Sequence, residues 1–141
     1  MMNLTTFKTF ALVAALGFTP MISVTLADET PLAEQMDIVS GSLKRLRRAE
    51  TTEDKVALVH QAQAATLKGL EYLPAGFKNI NDKKALAKAT ADYKRLTGLT
   101  YVGLCKLEMA FLAEDEEKAE EAMDELKNLK KEGHKTYKSE E

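Results

Sequence analysis

Two side chains of this sequence have the chemistry of a metal-ligand pair, the thioether of Met36 and the imidazole of His134. A soft sulfur donor and a neutral imidazole nitrogen suit haem iron in an electron carrier, because together they fill both axial positions and raise the reduction potential. Two filled positions leave no open iron site for a substrate. His60, the only other histidine, sits beside Val59 and reads as a boundary or surface residue. The single cysteine, Cys105, excludes an internal disulfide, a cysteine-based zinc site and the Cys-x-x-Cys-His attachment sequence. Any haem held here is therefore held without thioether links. Residue type alone leaves ordinary roles open as well: a methionine fills gaps in helical cores, and a histidine in a basic last turn is favoured by the helix dipole.

Four helical stretches would have to position the pair. No alternating Val/Ile/Thr run and no Asn-Gly or Asp-Gly turn marks a strand. The first stretch, about residues 31–48, carries Leu32, Met36, Val39, Leu43 and Leu46 at steps of four, three, four and three, which is one apolar stripe. The second opens at Thr51-Thr52-Glu53-Asp54, a capping residue followed by acidic residues in the positive first turn, and ends before Pro74 and Gly76. The third starts near Asn81-Asp82 and keeps steps of three and four from Leu86 through Ala89, Tyr93, Leu96, Thr100, Gly103 and Leu107 to Ala110. Such spacing favours shallow crossing angles. The fourth opens in the acidic run from Glu114 to Glu117 and leads through Ala119, Ala122, Met123, Leu126 and Leu129 to His134 and Tyr137.

All three connections are short, so the expected fold is all-α, an antiparallel up-down-up-down four-helix bundle. That topology brings the start of the first helix and the end of the last to one end of the bundle. Met36 and His134 each lie about five residues inside their helices, which at about 1.5 Å per residue places both on the order of 8 Å from that end. The loop from Leu73 to Ile80 falls at the same end, where its Leu73, Pro74, Phe77 and Ile80 could cover a flat apolar ligand.

Ahead of the helices, Lys8 precedes an apolar run from Phe10 to Phe18, and Thr25-Leu26-Ala27 offers a small-x-small cleavage site. Residues 1–27 read as a secretory signal peptide, too short in its apolar run for a permanent membrane anchor, and the expected address is a bacterial periplasm. Lys8 is the only charge in that segment, so its removal leaves residues 28–141 as one bundle domain with 19 basic and 22 acidic residues. This balance argues against nucleic acid or an anionic membrane as the partner, since both reward clustered positive charge. A monomer is expected; Cys105 leaves a dimer open, because an odd thiol in an oxidising compartment can cross-link two chains.

The segments around the two donors resemble the cytochrome b562 family. Leu32-Ala33-Glu34-Gln35-Met36 with Ser42-Leu43-Lys44 is similar to the family's axial-methionine segment, and Leu126-Lys127 with His134-Lys135-Thr136-Tyr137-Lys138 to its axial-histidine segment. The resemblance covers nearly all of residues 28–141. It implies that Met36 and His134 ligate the iron of one non-covalent haem b, that Tyr93 lies against the haem, and that Val39 and Leu43 form its apolar wall. Tyr137 falls within the histidine segment and joins this expected haem-binding set. Lys130 and Lys138 are candidates for propionate contacts or partner docking. The chain departs from the family at Lys130, where the prototype has arginine, at Gly133, in a shorter and proline-poorer loop between helices two and three, and at Lys138. Gly133 matters most, since glycine costs about 1 kcal/mol inside a helix and could loosen the turn that aims His134.

The expected function is thus a periplasmic b-type cytochrome that exchanges electrons with soluble redox partners. The alternative is a haem-free periplasmic binding or stress-response protein on the same bundle. An enzyme is the least supported reading. A di-metal carboxylate bundle needs Glu-x-x-His pairs, yet Ala57 and Lys131 stand three residues before the two histidines, and no nucleophile or phosphate-loop signature is present.

Overall fold

The computed structural model describes residues 30–137. The expected signal peptide, residues 1–27, and Lys138 lie outside them. Among the described residues the chain is all-helical, with four α-helices and no strand: α1 (Pro31–Arg45), α2 (Thr52–Gly69), α3 (Lys83–Leu112) and α4 (Glu116–Tyr137). Each start is set locally by an oxygen-bearing side chain that accepts from an otherwise unpaired amide of the first turn. Thr30 accepts from Ala33 N at 3.2 Å, Thr51 from Asp54 N at 3.1 Å, Asp82 from Ala85 N at 2.6 Å and Asp115 from Lys118 N at 3.0 Å. Pro31, at the first helical position, has no amide to leave unsatisfied.

Helix ends depart in detail from the expectation. The last turn of the first stretch tightens into a 3-10 turn, Leu46–Arg48, and the loop before α3 contains another, Ala75–Asn79. The acidic run divides between two helices. Ala113 caps α3, Glu114 takes a left-handed φ of 53°, and Asp115 caps α4. Asp115 N donates to Ala110 O at 2.9 Å and Glu114 N to Phe111 O at 3.1 Å, the paired hydrogen bonds of a Schellman motif. Glycine is the residue suited to that left-handed position, because a β-carbon there crowds the backbone. Glu114→Gly should therefore raise the unfolding free energy by about 1 kcal/mol; a urea midpoint equal to or below that of the parent chain would contradict this.

α1 packs on α2, α2 on α3, and α3 on α4. Their shared core includes Leu58, Val59, Ala62, Leu104, Leu107 and Leu126, with Val59, Leu104 and Leu107 fully buried. Small side chains let the helices approach closely. A β-carbon on Gly103 would come within 2.9 Å of Leu126 Cδ2. Threonines in the core satisfy themselves within their own helix: Thr66 Oγ1 donates to Ala62 O at 2.8 Å and Thr97 Oγ1 to Tyr93 O at 2.9 Å. Among the described residues, no buried side-chain nitrogen or oxygen lacks a partner.

The burial of α1 is rotated slightly from its apolar stripe. Gln35, Val39 and Ser42 are its most buried residues, a line continued by Leu46 of the 3-10 turn, while Leu32, Met36 and Leu43 flank it half-buried. Gly69 at the end of α2 supplies the physical reason. It opens a niche into which Met36 and Leu32 extend beside the central line.

Candidate functional site

Met36 lies near the start of α1, with its side chain directed at α2. Its Cε is 3.1 Å from where a β-carbon of Gly69 would stand, and Leu32 Cδ1 is 3.6 Å from the same point. A β-carbon at position 69 would require the methionine's terminal methyl to shift by a few tenths of an ångström. The carbonyl of Gly69 accepts a hydrogen bond from Tyr93 Oη at 3.3 Å, which ties this niche to α3. Burial is the main reason that the Tyr93 phenol is pushed up in pKa, so it remains a donor across the ordinary pH range.

Tyr93 joins an aromatic trio. Phe77, from the loop, and Tyr137, near the end of α4, both meet it edge to face, with ring centroids 6.2 and 6.0 Å from Tyr93 and 5.4 Å from each other. Phe77 and Pro74 are buried, Ile80 is half-buried and Leu73 is exposed, so the loop closes this end of the helices chiefly through two of the four apolar residues expected to do so. Tyr137 Oη also donates to Asp92 Oδ2. Burial, then Asp92, pushes the Tyr137 phenol up to about 12. The hydroxyl of Tyr137 and then Arg95 hold the Asp92 carboxyl below the usual carboxylate range. A depressed carboxylate adds stability that is present above its unfolded pKa and lost as pH falls through the folded value. This end of α4 is therefore held best at neutral pH. Arg95 Nη2 to Glu132 Oε1 at 2.8 Å adds a second tie between α3 and α4.

His134 is exposed on α4, one turn before the end of the helix. Gly133 does not interrupt that helix, which continues to Tyr137, and a β-carbon at position 133 would meet open space. One turn earlier, Lys130 Nζ reaches Ser40 Oγ of α1 at 3.4 Å. Val39 and Leu43 lie on the inner side of α1, Val39 within the main core and Leu43 packed against it. Tyr93 and Tyr137 are thus brought into contact, Met36 is linked to Tyr93 through Gly69, and Lys130 joins α4 to α1.

Two hollows lie elsewhere. One of about 350 Å³ lies between α1 and α2 beside Arg45, Arg48, Asp54 and Leu58, and one of about 320 Å³ is lined by Lys44, Arg45, Arg47 and Arg48. His60 Nε2 pairs with Glu108 Oε1 at 2.7 Å, and Gln63 donates to the other carboxylate oxygen at 2.7 Å. These two contacts hold Glu108 below the usual range. Among the described residues, no group of three or more His, Cys, Asp and Glu could hold a metal ion, and no helix is long and apolar enough to cross a membrane. Gly69, Ser40 and Asp92 are the contributors that residue-type reasoning missed. Of these, only Gly69 carried a signal, as a glycine at the end of a helical pattern beside an aromatic-rich loop.

Compared with protein-family models, curated proteins and solved structures, the chain matches none of them.

Proposed function

We propose that the four helices form an antiparallel up-down-up-down bundle that holds one non-covalent haem b through Met36 and His134 and exchanges electrons with soluble periplasmic partners. Cross-helix pairs support the antiparallel order. Residues late in α2 meet residues in the first half of α3 (Gly69 with Tyr93), and residues early in α2 meet residues late in α3 (Lys55 with the ring of Phe111). Lys106 with Glu125 and Arg95 with Glu132 follow the same reversal between α3 and α4.

The observation that carries the haem reading is the hydrogen bond from Lys130 to Ser40. Residues four apart share a helix face. Stepping one turn from Ser40 towards the start of α1 reaches Met36, and one turn from Lys130 towards the end of α4 reaches His134. In an antiparallel pair those steps run the same way, so the two donors face the same level of the bundle. The donor set also fits the group, since thioether and imidazole are a known axial pair for haem iron.

When bound, the haem supplies a one-electron couple between ferrous and ferric iron. The chain's own residues supply the rest. Met36 and His134 would hold the iron from opposite helices, Tyr93 and Tyr137 would offer flat apolar faces to the group, Val39 and Leu43 would exclude water along α1, and Lys130 would supply a cation for an acidic substituent. The resemblance to the cytochrome b562 family points the same way. A haem-free binding protein is the second reading. Its support is the Phe77, Tyr93 and Tyr137 trio, whose mutual contacts already occupy the closed end.

The visible spectrum of protein produced with a haem supply separates the two. A red protein with the low-spin bands of a Met/His haem is expected, and a colourless one with no haem uptake would reject the cytochrome reading. Met36→Ala should keep the helices folded and turn the spectrum to high or mixed spin, with a lower potential. An unchanged low-spin spectrum in that variant would exclude Met36 as a ligand.

A further inference from the structure

The turn that ends α1 gathers most of one residue type. Lysine outnumbers arginine in the chain sixteen to four, yet three of the four arginines, Arg45, Arg47 and Arg48, fall here beside Lys44. A basic last turn suits the helix dipole, but α2 achieves this with Lys68 and α4 with His134 and Lys135. What arginine adds is a planar fork of donors that engages two oxygens of an oxyanion at once.

The local fold turns these side chains towards shared space. Leu46 is buried in the core and anchors the turn, and from it the chain tightens into the 3-10 turn Leu46–Arg48. Residues three apart eclipse in such a turn, which brings Arg48 into line with Arg45. Those two arginines accordingly line both hollows at the end of α1. The hollow of about 320 Å³ is walled by Lys44, Arg45, Arg47 and Arg48 alone, and the adjoining one, of about 350 Å³, adds the apolar Ala49, Ala57 and Leu58. Asp54 is the single acidic residue lining either of them. Arg95, Lys106, Lys118 and Lys127 are each held by a carboxylate, whereas among the described residues none of the four cations of this turn forms an ion pair. Lys44 and Arg48, four apart, add like-charge repulsion that a bound anion would relieve.

We propose that this turn is a binding site for a small organic phosphate, with its phosphoryl oxygens among Lys44, Arg45, Arg47 and Arg48 and its apolar part over Ala49, Ala57 and Leu58. A phosphate monoester carries nearly two negative charges and three strong acceptor oxygens, which suits four cations better than the single charge of a carboxylate. Small-molecule sites occupy on the order of 300–1,000 Å³, and each hollow falls at the lower end of that range. Charge elsewhere selects for size. With 22 acidic residues against 20 basic ones, a long polyanion would meet repulsion beyond the cluster, while a single phosphate ester fits within it. The site lies at the opposite end of α1 from Met36, so it stands apart from the haem reading.

Isothermal titration calorimetry on the whole protein at fixed ionic strength tests this, with phenyl phosphate, inorganic phosphate and benzoate as probes. Saturable one-to-one binding of phenyl phosphate is expected. Its affinity should exceed that of inorganic phosphate, which lacks the apolar part, and of benzoate, which lacks the phosphate, on the order of tenfold. Arg48→Gln should raise the dissociation constant for phenyl phosphate by a similar factor with the helical melt unchanged, because the side chain is exposed. Arg47→Lys combined with Arg48→Lys keeps every charge but removes two forks, and should still weaken binding severalfold. Lys68→Gln, which takes the basic residue from the last turn of α2, should change nothing. Absence of saturable phenyl phosphate binding would overturn the proposal. So would equal affinity for the three probes, equal weakening by Lys68→Gln and Arg48→Gln, or full affinity in the double lysine variant.

Discussion

Leu107→Ala is expected to lower the unfolding free energy by about 2–5 kcal/mol, the range for truncating a buried leucine whose surroundings cannot close over the gap. Leu107 is fully buried in the cluster that contains Leu58, Val59, Leu104 and Leu126. Because domains of this size have only about 5–15 kcal/mol of net stability, the variant should unfold at a much lower urea concentration. Met109→Ala provides the control. It lies two residues further along the same helix and is 70% exposed, so its effect on a single chain should stay within about 0.5 kcal/mol. Similar urea midpoints for the two variants would show that α3 does not present its Leu107 face to the core.

His134→Ala should have the second largest effect, confined to the haem-loaded protein. A ligand that binds only the folded state stabilises it by mass action, by about 2.7 kcal/mol when free ligand is about a hundred times its Kd. Losing the imidazole removes much of that term, so the melting temperature of the loaded protein should fall towards that of the apoprotein. The apoprotein itself should change little, since His134 is exposed. Equal shifts in the two forms would mean that His134 acts through helix packing and not through iron. Acid should imitate the substitution, because a protonated imidazole cannot coordinate the metal: low-spin bands should fade as pH falls and return on neutralisation.

The helices were legible in the sequence because several independent signals agreed on them. Thr51 and Asp82 mark starts by chemistry that is local to one turn, and the three-four spacing from Tyr93 to Ala110 matches the face that α3 buries. The rotation of α1 was not legible. It depends on Gly69, a residue of another helix, whose missing side chain makes room for Met36. Leu104 and Thr97 escaped the α3 stripe for a related reason: a long central helix packs against neighbours on two sides and buries a wider arc than one seam describes. At the candidate site, Met36, His134, Tyr93 and Tyr137 stood out by residue type. The links between them run through Gly69 O, Asp92 and Ser40, and such contacts between distant segments leave no periodic trace in the chain. Glu114 shows the opposite case, where composition misleads, since an acidic residue next to others reads as part of a helix start but occupies the left-handed position that ends the helix before it.

That each helix packs chiefly on the next one along the chain has a kinetic consequence. Contacts between elements joined by short turns close small loops, and small loops cost little chain entropy to form. A chain whose contacts are mostly of this kind has a low contact order, and helical proteins of low contact order fold in microseconds to milliseconds. The Lys130 to Ser40 bond spans most of the described chain. Among these cross-helix contacts it therefore closes the longest loop and carries the largest closure entropy, so the Met36 and His134 faces meet at the contact that costs the most chain entropy to form.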